Sequence, residues 1–397
     1  MNGVTRYPDG WRAMKFGEVV SLVSGSGLPS PDESRFFIGL EHFESDSYAI
    51  KRWGSEVDIA VPKTPVRKGD VLFARRNPHL RRCAIAPFDT YFSPDGYAMR
   101  SKSEELLQDF LLYVVASNRF MDFAIQHSAG SLSKRVKWQD LARYEFALPP
   151  VDEQRRIAEI LAATDLIIAK RRETLEAARS LRGAVIENDI WDRSKKEWAW
   201  PLIPLRSLIS EPVKNGVSPL ESEHGVGVET VSISSIQDGR FISGPEVRKW
   251  CKPGKDVSSF TVQSGDAFVV RGNGNRNQVG KLGWSPDAPD SPTIYPDLLM
   301  RVRFDDRVLL PIVATEIWNS RRVHQLLLTR AKSSNGIYKV NGKDLHCHQL
   351  PVPSPSRQAE LAELVSAIRS IEDQAANSLE IDQRLRAQLR EALIGES

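Results

Sequence analysis

Apolar and polar positions alternate along the chain in two rhythms that recur in the same order. Short apolar stretches between turn residues come first: Arg35-Phe36-Phe37-Ile38-Gly39, Asp70 to Phe73 and Arg82 to Ile85. Their length and flanking turns predict strands. Glu104 to Asn118 then places Leu106, Leu107, Phe110, Leu111 and Val114 near helical spacing. A polar stretch with Gly130 leads to a Leu148-Pro149 exit. The second half repeats this order. Gly69-Asp70-Val71-Leu72-Phe73 returns 196 positions later as Gly265-Asp266-Ala267-Phe268-Val269, and Asp140-Leu141 returns 204 later as Asp344-Leu345. The Leu-Pro exit returns 202 later as Leu350-Pro351, after a polar stretch with Gly336. Trp11 precedes Phe16 to Val20, and Trp200 precedes Leu205 to Ile209. A period near 200 residues is far beyond solenoid repeats of roughly 20–50. The pattern predicts an α+β domain followed by a helix, occurring twice.

Both predicted helices are long. From Asp152 to about Asp192 there is no proline, and Pro149-Pro150 stops whatever precedes it. Asp152 suits an N-cap, with Glu153 in the first turn. Ile157, Leu161, Ile168, Leu175, Ala178 and Val185 are spaced in threes and fours. In the second run, Leu361, Leu364, Ile368, Ile371, Ala375, Ser378, Asp382, Leu385, Leu389 and Ala392 form a heptad-like seam that Ser378 and Asp382 weaken. Each helix would be about 60 Å long, too long to bury its stripe against one small domain. An antiparallel pair formed within the chain solves this most simply. A core helix in each domain, or a coil between two chains, are the other solutions.

Composition narrows the class. Of 397 residues, 41% are hydrophobic and 26% charged, which is ordinary for a globular protein and too apolar for global disorder. No stretch approaches the apolar run of about 20 residues that crosses a bilayer. Met1 to Trp11 lacks the apolar core of a signal peptide. Cys83, Cys251 and Cys347 are odd in number and far apart, which suits a reducing cytoplasm better than a disulfide scaffold.

The net charge of +3 conceals patches. Residues 67–82 hold Arg67, Lys68, Arg75, Arg76, Arg81 and Arg82 against Asp70, a net +5, with Asn77 and His79 among them. Lys134, Arg135 and Lys137 follow. In the second copy, Arg271, Asn273, Asn275, Arg276, Asn277, Gln278 and Lys281 share an acid-free, glycine-loosened run. Residues 321–343 add Arg321, Arg322, Arg330, Lys332, Asn335, Lys339 and Lys343, again without an acid. Lys and Arg neutralise phosphates, and Arg, Asn and Gln read guanine and adenine edges, so both halves offer DNA-facing segments. A solvated surface loop is the plainer reading of any one of these residues.

Motifs for chemistry fail. Arg271 to Lys281 superficially resembles a phosphate loop, but five residues separate Gly274 from Gly280, and Leu282 stands where a magnesium-binding hydroxyl belongs. Asn77-Pro78-His79 lacks the second proline and the aromatic of an amino-methyltransferase step. His346-Cys347-His348 is contiguous, without a second pair at zinc spacing, and reads as a strand-end surface. No catalytic residue or metal site is expected.

Leu148-Pro149-Pro150-Val151-Asp152-Glu153-Gln154-Arg155-Arg156-Ile157-Ala158 resembles the opening of the central conserved helix of Type I restriction–modification specificity subunits. Ile160-Leu161, Thr164-Asp165, Leu181-Arg182 and Gln126-His127-Ser128-Ala129-Gly130 extend the resemblance, as do the Gly-Asp-apolar strands. It covers nearly the whole chain. The second copy departs from it: Ser356-Arg357-Gln358 aligns Gln358 with Gln154, but Arg357 replaces the acid and two residues are inserted.

The resemblance implies two target-recognition domains, at 1–150 and 194–352. Two conserved helices, 151–193 and 353–397, would join them as an antiparallel coiled coil with pseudo-two-fold symmetry. It implies a non-catalytic phage-defence subunit that reads a bipartite site in double-stranded DNA, the helices setting the spacer. Glu153, Gln154, Ile157, Leu161, Ile168, Leu175, Gln358, Leu361, Leu364, Ile368, Ile371, Leu385 and Leu389 would serve helix pairing or partner docking. Implied partners are two adenine-N6 methyltransferase subunits, which bind S-adenosylmethionine, and two restriction subunits using ATP and Mg. This chain would bind none of these cofactors. A homodimeric DNA-binding regulator and a stand-alone DNA-modifying enzyme are the rival readings.

Overall fold

The computed structural model describes residues 9–25, 36–44, 47–54, 62–218, 220–252, 254, 256–334 and 336–394. The chain divides into two compact units, Met1–Glu173 with Ala375–Ser397, and Thr174–Gln374.

The first unit is built on a four-stranded antiparallel sheet in the order Val20–Leu22, Gly96–Ser101, Val71–Ala74, Cys83–Ile85. The Gly-Asp motif starts its inner strand. Gly69 turns the chain at φ 91°, and Asp70 then accepts the Arg67 amide at 2.7 Å and pairs with Arg100 of the neighbouring strand. Val71, Leu72, Phe73 and Ala74 are all buried, as befits a strand covered on both faces. A smaller sheet joins Phe37–Ile38, Thr90–Phe92 and Thr64–Val66. Residue Arg35 of the expected first strand lies outside the described residues.

Of the helical stretch expected over 104–118, Gln108–Ala116 is helical, and a second helix, Asn118–Gln126, follows it. Ser117 breaks them apart by capping the second, its hydroxyl accepting the Phe120 amide at 3.2 Å. Their apolar faces meet Phe16, Phe73 and Met99 in the main core. Arg12–Lys15 pairs antiparallel with Glu145–Leu148, the strand that leads into the first long helix.

The second unit is built on a six-stranded sheet. The first four strands of its six-stranded sheet are Ile209–Asn215, Leu299–Phe304, Ala267–Val270 and Leu282–Trp284, in the corresponding order. Gly265 has φ 76°, and Asp266 accepts the Gln263 amide at 2.9 Å and pairs with Arg303. Two helices, Pro311–Asn319 and Arg321–Leu328, follow. Leu202–Pro204 pairs with Gln349–Pro351 just before the second long helix. Cys83 and Cys251 are buried, Cys347 is exposed, and all three are free.

The long helices run Val151–Ile190 and Pro355–Ile394, each 40 residues. Three expectations change here. Asp152 lies in the first helical turn rather than at the cap, because the helix begins directly after Pro150. The buried seam of the second helix is Leu361, Val365, Ile368, Glu372 and Ala375, whereas Leu364, Ile371 and Leu385 are 43%, 47% and 45% exposed. The seam shifts because the second unit offers buried charges, described below, that Glu372 and Arg369 satisfy. Finally, His346-Cys347-His348 leads into the strand Gln349–Pro351 but is not surface throughout. The helix Gly342–His346 closes there, and His348 is buried with its ring centroid 4.7 Å from that of Trp318.

Candidate nucleic-acid interface

In the first unit the inner strand runs out into Arg75, Arg76 and Asn77. Arg76 bridges to Arg135 of a hairpin made by Ser128–Ala129 and Arg135–Val136. Asp95 accepts hydrogen bonds from Arg76 and Arg135, both at 3.0 Å, tying loop to hairpin. Burial would raise the Asp95 carboxyl, but these arginine hydrogen bonds outweigh it and hold it below its ordinary value. Arg75 turns inward, donating to the Tyr97 hydroxyl at 3.3 Å. Asn77 sits at φ 53°, a left-handed conformation that asparagine tolerates, and starts the 3-10 turn Pro78–Leu80. His79, Lys134, Arg135 and Lys137 are exposed. Leu132, at the hairpin tip, is 99% exposed. Arg81 and Arg82 leave this group: Arg81 pairs with Asp122, and Arg82 donates to the Leu40 carbonyl at 2.8 Å.

The second unit has the corresponding arrangement. Gly272–Asn273 joins a three-stranded sheet with Ile337–Lys339 and Lys332–Ser334. The asparagines organise the loop: the Asn273 side chain accepts the Asn275 amide at 2.8 Å, and that of Asn275 accepts the Asn277 amide at 3.0 Å. These are local turns that compete with regular structure. Arg276 lies 6.0 Å over the Tyr338 ring, and Arg271 donates to the Asp297 carbonyl at 3.3 Å. Lys332 and Lys339 are exposed and stand directly opposite each other across the hairpin. Like charges in that register repel, a cost that a bound anion would relieve. Lys281 turns away, donating to the Asn319 carbonyl at 3.4 Å. Asn335 lies outside the described residues.

The helix candidates divide by direction. Gln154 is fully buried: it accepts the Leu107 amide at 2.8 Å and donates to the carbonyls of Glu105 at 2.7 Å and Pro149 at 2.9 Å. Gln358 does the same with Leu310, Val308 and Pro353. Both glutamines are internal ties and face no outside partner. Ile157 and Leu161 join the first unit's core, Leu361 joins the second's, and Ile168 and Ile368 are buried. Leu389 packs against the first core, Leu175 is half-buried, and Glu153 pairs with Arg156. Leu364, Ile371 and Leu385 are the candidates left facing outward.

Charges within each unit hold the long helices, and their contribution was not visible in the apolar pattern. In the first unit Arg386 meets Asp165 at 3.1 Å, Tyr113 donates to Asp165 at 3.0 Å, and Arg171 meets Asp382 at 3.4 Å. In the second, Arg182 meets Glu372 at 2.7 Å, Glu316 at 2.8 Å and Asp238 at 2.7 Å, and Arg357 meets Asp189 at 2.6 Å. Burial would depress the Arg182 guanidinium, but the surrounding carboxylates raise it. Among the described residues no cluster of His, Cys, Asp and Glu could hold a metal ion, and no helix is long and apolar enough to cross a membrane.

Residues 37–177 match the Type I restriction modification DNA specificity domain. The EcoKI specificity subunit of Escherichia coli K12 is 23% identical over 309 residues, 74% of this chain and 66% of that protein. The Escherichia coli EcoDI specificity subunit is 22% identical over 197 residues, 48% of this chain and 44% of that protein. The chain therefore spans under two thirds of the length of these relatives. The solved S subunit of a Type I system from M. genitalium superposes with a TM-score of 0.58 at 13% identity, covering 97% of this chain and 96% of that one. A chain solved in work on complex assembly and conformational transition of the type I R-M system gives 0.55 at 18%, covering 99% and 100%. The likeness to these structures is one of fold. This chain carries a Type I restriction–modification DNA specificity domain and is related to the specificity subunits of those systems.

Proposed function

We propose that the chain is the DNA-reading subunit of a Type I restriction–modification complex, with each unit reading one half of a split target. The observation that carries this is the duplicated basic loop and hairpin: Arg76, Asn77, Lys134 and Arg135 in one unit, and Asn273, Arg276, Lys332 and Lys339 in the other. Exposed Lys and Arg supply salt-sensitive attachment, and Arg and Asn side chains supply sequence choice. We keep the partition into domains at 1–150 and 194–352 and helices at 151–193 and 353–397.

The charge pairs support an antiparallel coiled coil within a pseudo-two-fold repeat. As position rises along the first helix through Asp165, Arg171, Arg182 and Asp189, the partner falls along the second through Arg386, Asp382, Glu372 and Arg357. In this reading the helix pair sets the unread spacer. Its outward apolar residues Leu364, Ile371 and Leu385 contribute to docking two methyltransferase subunits. The chain does no chemistry. Its methyltransferase partners bind S-adenosylmethionine, restriction partners use ATP and Mg, and the complex works in the cytoplasm.

The test is co-expression with candidate methyltransferase subunits, followed by genome-wide mapping of methylated adenines. A bipartite methylated motif is expected. A chain that methylates DNA unaided, or a stable homodimer that binds its site without a methyltransferase, would contradict the proposal.

A further inference from the structure

Arg82 and Lys281, two of the basic residues that turn away from the loops, occupy one structural position. Each directly precedes the strand paired with the Gly-Asp strand, and each carbonyl accepts an amide from that strand's end, Ala74 at 3.0 Å and Val270 at 2.9 Å. Each lines a cavity walled by an arginine of a long helix, Arg386 or Arg182, which lie 204 positions apart.

The two cavities differ in charge. The second unit's, about 450 Å³, sets Arg179, Arg182 and Lys281 against Glu316 and Asp238. It supplies its own counter-charge. The first unit's, about 430 Å³, is lined by Arg81, Arg82, Arg386 and Arg390, with Glu44 the acid in its wall. Tyr113 stands four residues before Ser117, as Glu316 stands four before Ser320, so a carboxylate is replaced by a phenol.

Asp122 engages Arg81 and Asp165 engages Arg386. Arg82 and Arg390 have neutral partners: the Leu40 carbonyl for the first, and the Tyr48 hydroxyl at 2.9 Å and Asn118 at 3.3 Å for the second. The Nε atoms of both are buried without a hydrogen-bond partner among the described residues. Burial holds the Arg82 guanidinium below its ordinary value, with Glu41 partly offsetting it and Arg76 adding to it. Partly buried cations whose hydrogen bonds go to neutral groups leave charge that an anion would offset.

We propose that the cavity of the first unit is a binding site for a phosphate-type oxyanion, held by Arg82 and Arg390. Guanidinium forks converging from a loop and a helix match the oxygens of a tetrahedral anion. The comparison with the second unit rests on reading the units as copies, but the neutral partners of Arg82 and Arg390 do not.

The test is calorimetric titration of the full-length chain with inorganic phosphate, against chloride at equal ionic strength. One saturable site is expected. Arg82→Gln and Arg390→Lys should each weaken it about tenfold or more, and Lys281→Gln should leave it unchanged. Arg390→Lys keeps the charge and serves if Arg82→Gln does not fold. Absence of saturable binding, or wild-type affinity in both first-unit variants, would overturn the proposal. Saturating DNA identifies the source of the anion. Displacement of phosphate, with a salt slope lowered by about one in Arg82→Gln, assigns a backbone phosphate. Simultaneous binding assigns a free anion. A chain that binds phosphate but no DNA would count against the DNA-reading proposal and leave this one standing.

Discussion

At the residue scale, exposure and pairing decide what a side chain is free to do. Lys332 and Lys339 oppose each other across a hairpin. Lys339→Ala should therefore lower DNA affinity across all sequences and reduce the salt slope by about one. Without DNA it should leave stability unchanged or raise it by about 0.2–1 kcal/mol, because a repulsion is removed. A slope equal to wild type would place the hairpin off the DNA. Arg276→Ala should instead relax one half-site, seen as a broadened methylated motif. Two buried histidines give the second unit a pH dependence. Burial, then the Lys281 charge, pushes His324 down to about 4; burial, then Arg330, pushes His348 down to about 3. Both stay neutral when folded, while the unfolded chain takes up protons below its ordinary value of about 6.5. The stability they confer is complete above that value and is lost as pH falls through the folded values. The denaturant midpoint should drop between pH 7 and 4.5, and less steeply in His348→Phe. An unchanged slope in that variant would remove His348 from the account.

At the element scale, the two long helices are anchored by buried polar side chains at places where the sequence pattern suggested apolar seams or outside partners. Gln154→Ala would orphan the Leu107 amide and the carbonyls of Glu105 and Pro149, and should cost about 2–4 kcal/mol. Glu316→Gln should cost about 3–5 kcal/mol, since Arg182 and Arg369 both depend on that carboxylate. Denaturant titration measures both, and a loss under about 0.5 kcal/mol would contradict the assigned roles. Much of this scale was legible in advance. The Gly-Asp turns, the Leu-Pro exits and both long helices follow from local rules of turn chemistry and periodicity. The shift of the second helix's seam to Val365 and Glu372 was not legible, because Glu316, Arg182 and Asp238 come together only in the fold. The end of the first helix before Ser117 and the start of a second at Asn118 hang on one hydroxyl, that of Ser117. Basic residues were found by counting, but counting could not separate Lys339, which is exposed, from Arg82 and Lys281, which turn toward cavities.

At the scale of the whole molecule, a net charge of +3 is the balance of basic loops against acids elsewhere in the chain. If each unit is a reader, one chain supplies both and needs no second copy. Each alone would discriminate weakly, at about 1–3 kcal/mol per wrong base pair, and linkage raises the effective concentration of the second. If the helix pair is the ruler, inserting one heptad near both Leu175 and Ala375 should change the spacer of the recognised site and leave both half-sites intact. An unchanged spacer in a folded variant would remove that role.

The central claim is that each unit reads its own half-site. Its most direct test is to replace residues 1–150 with the corresponding part of another specificity subunit and map methylated adenines in cells that supply the methyltransferase. The account predicts a motif in which one half changes while the other half stays the same. A change in both halves, or in neither, would contradict it.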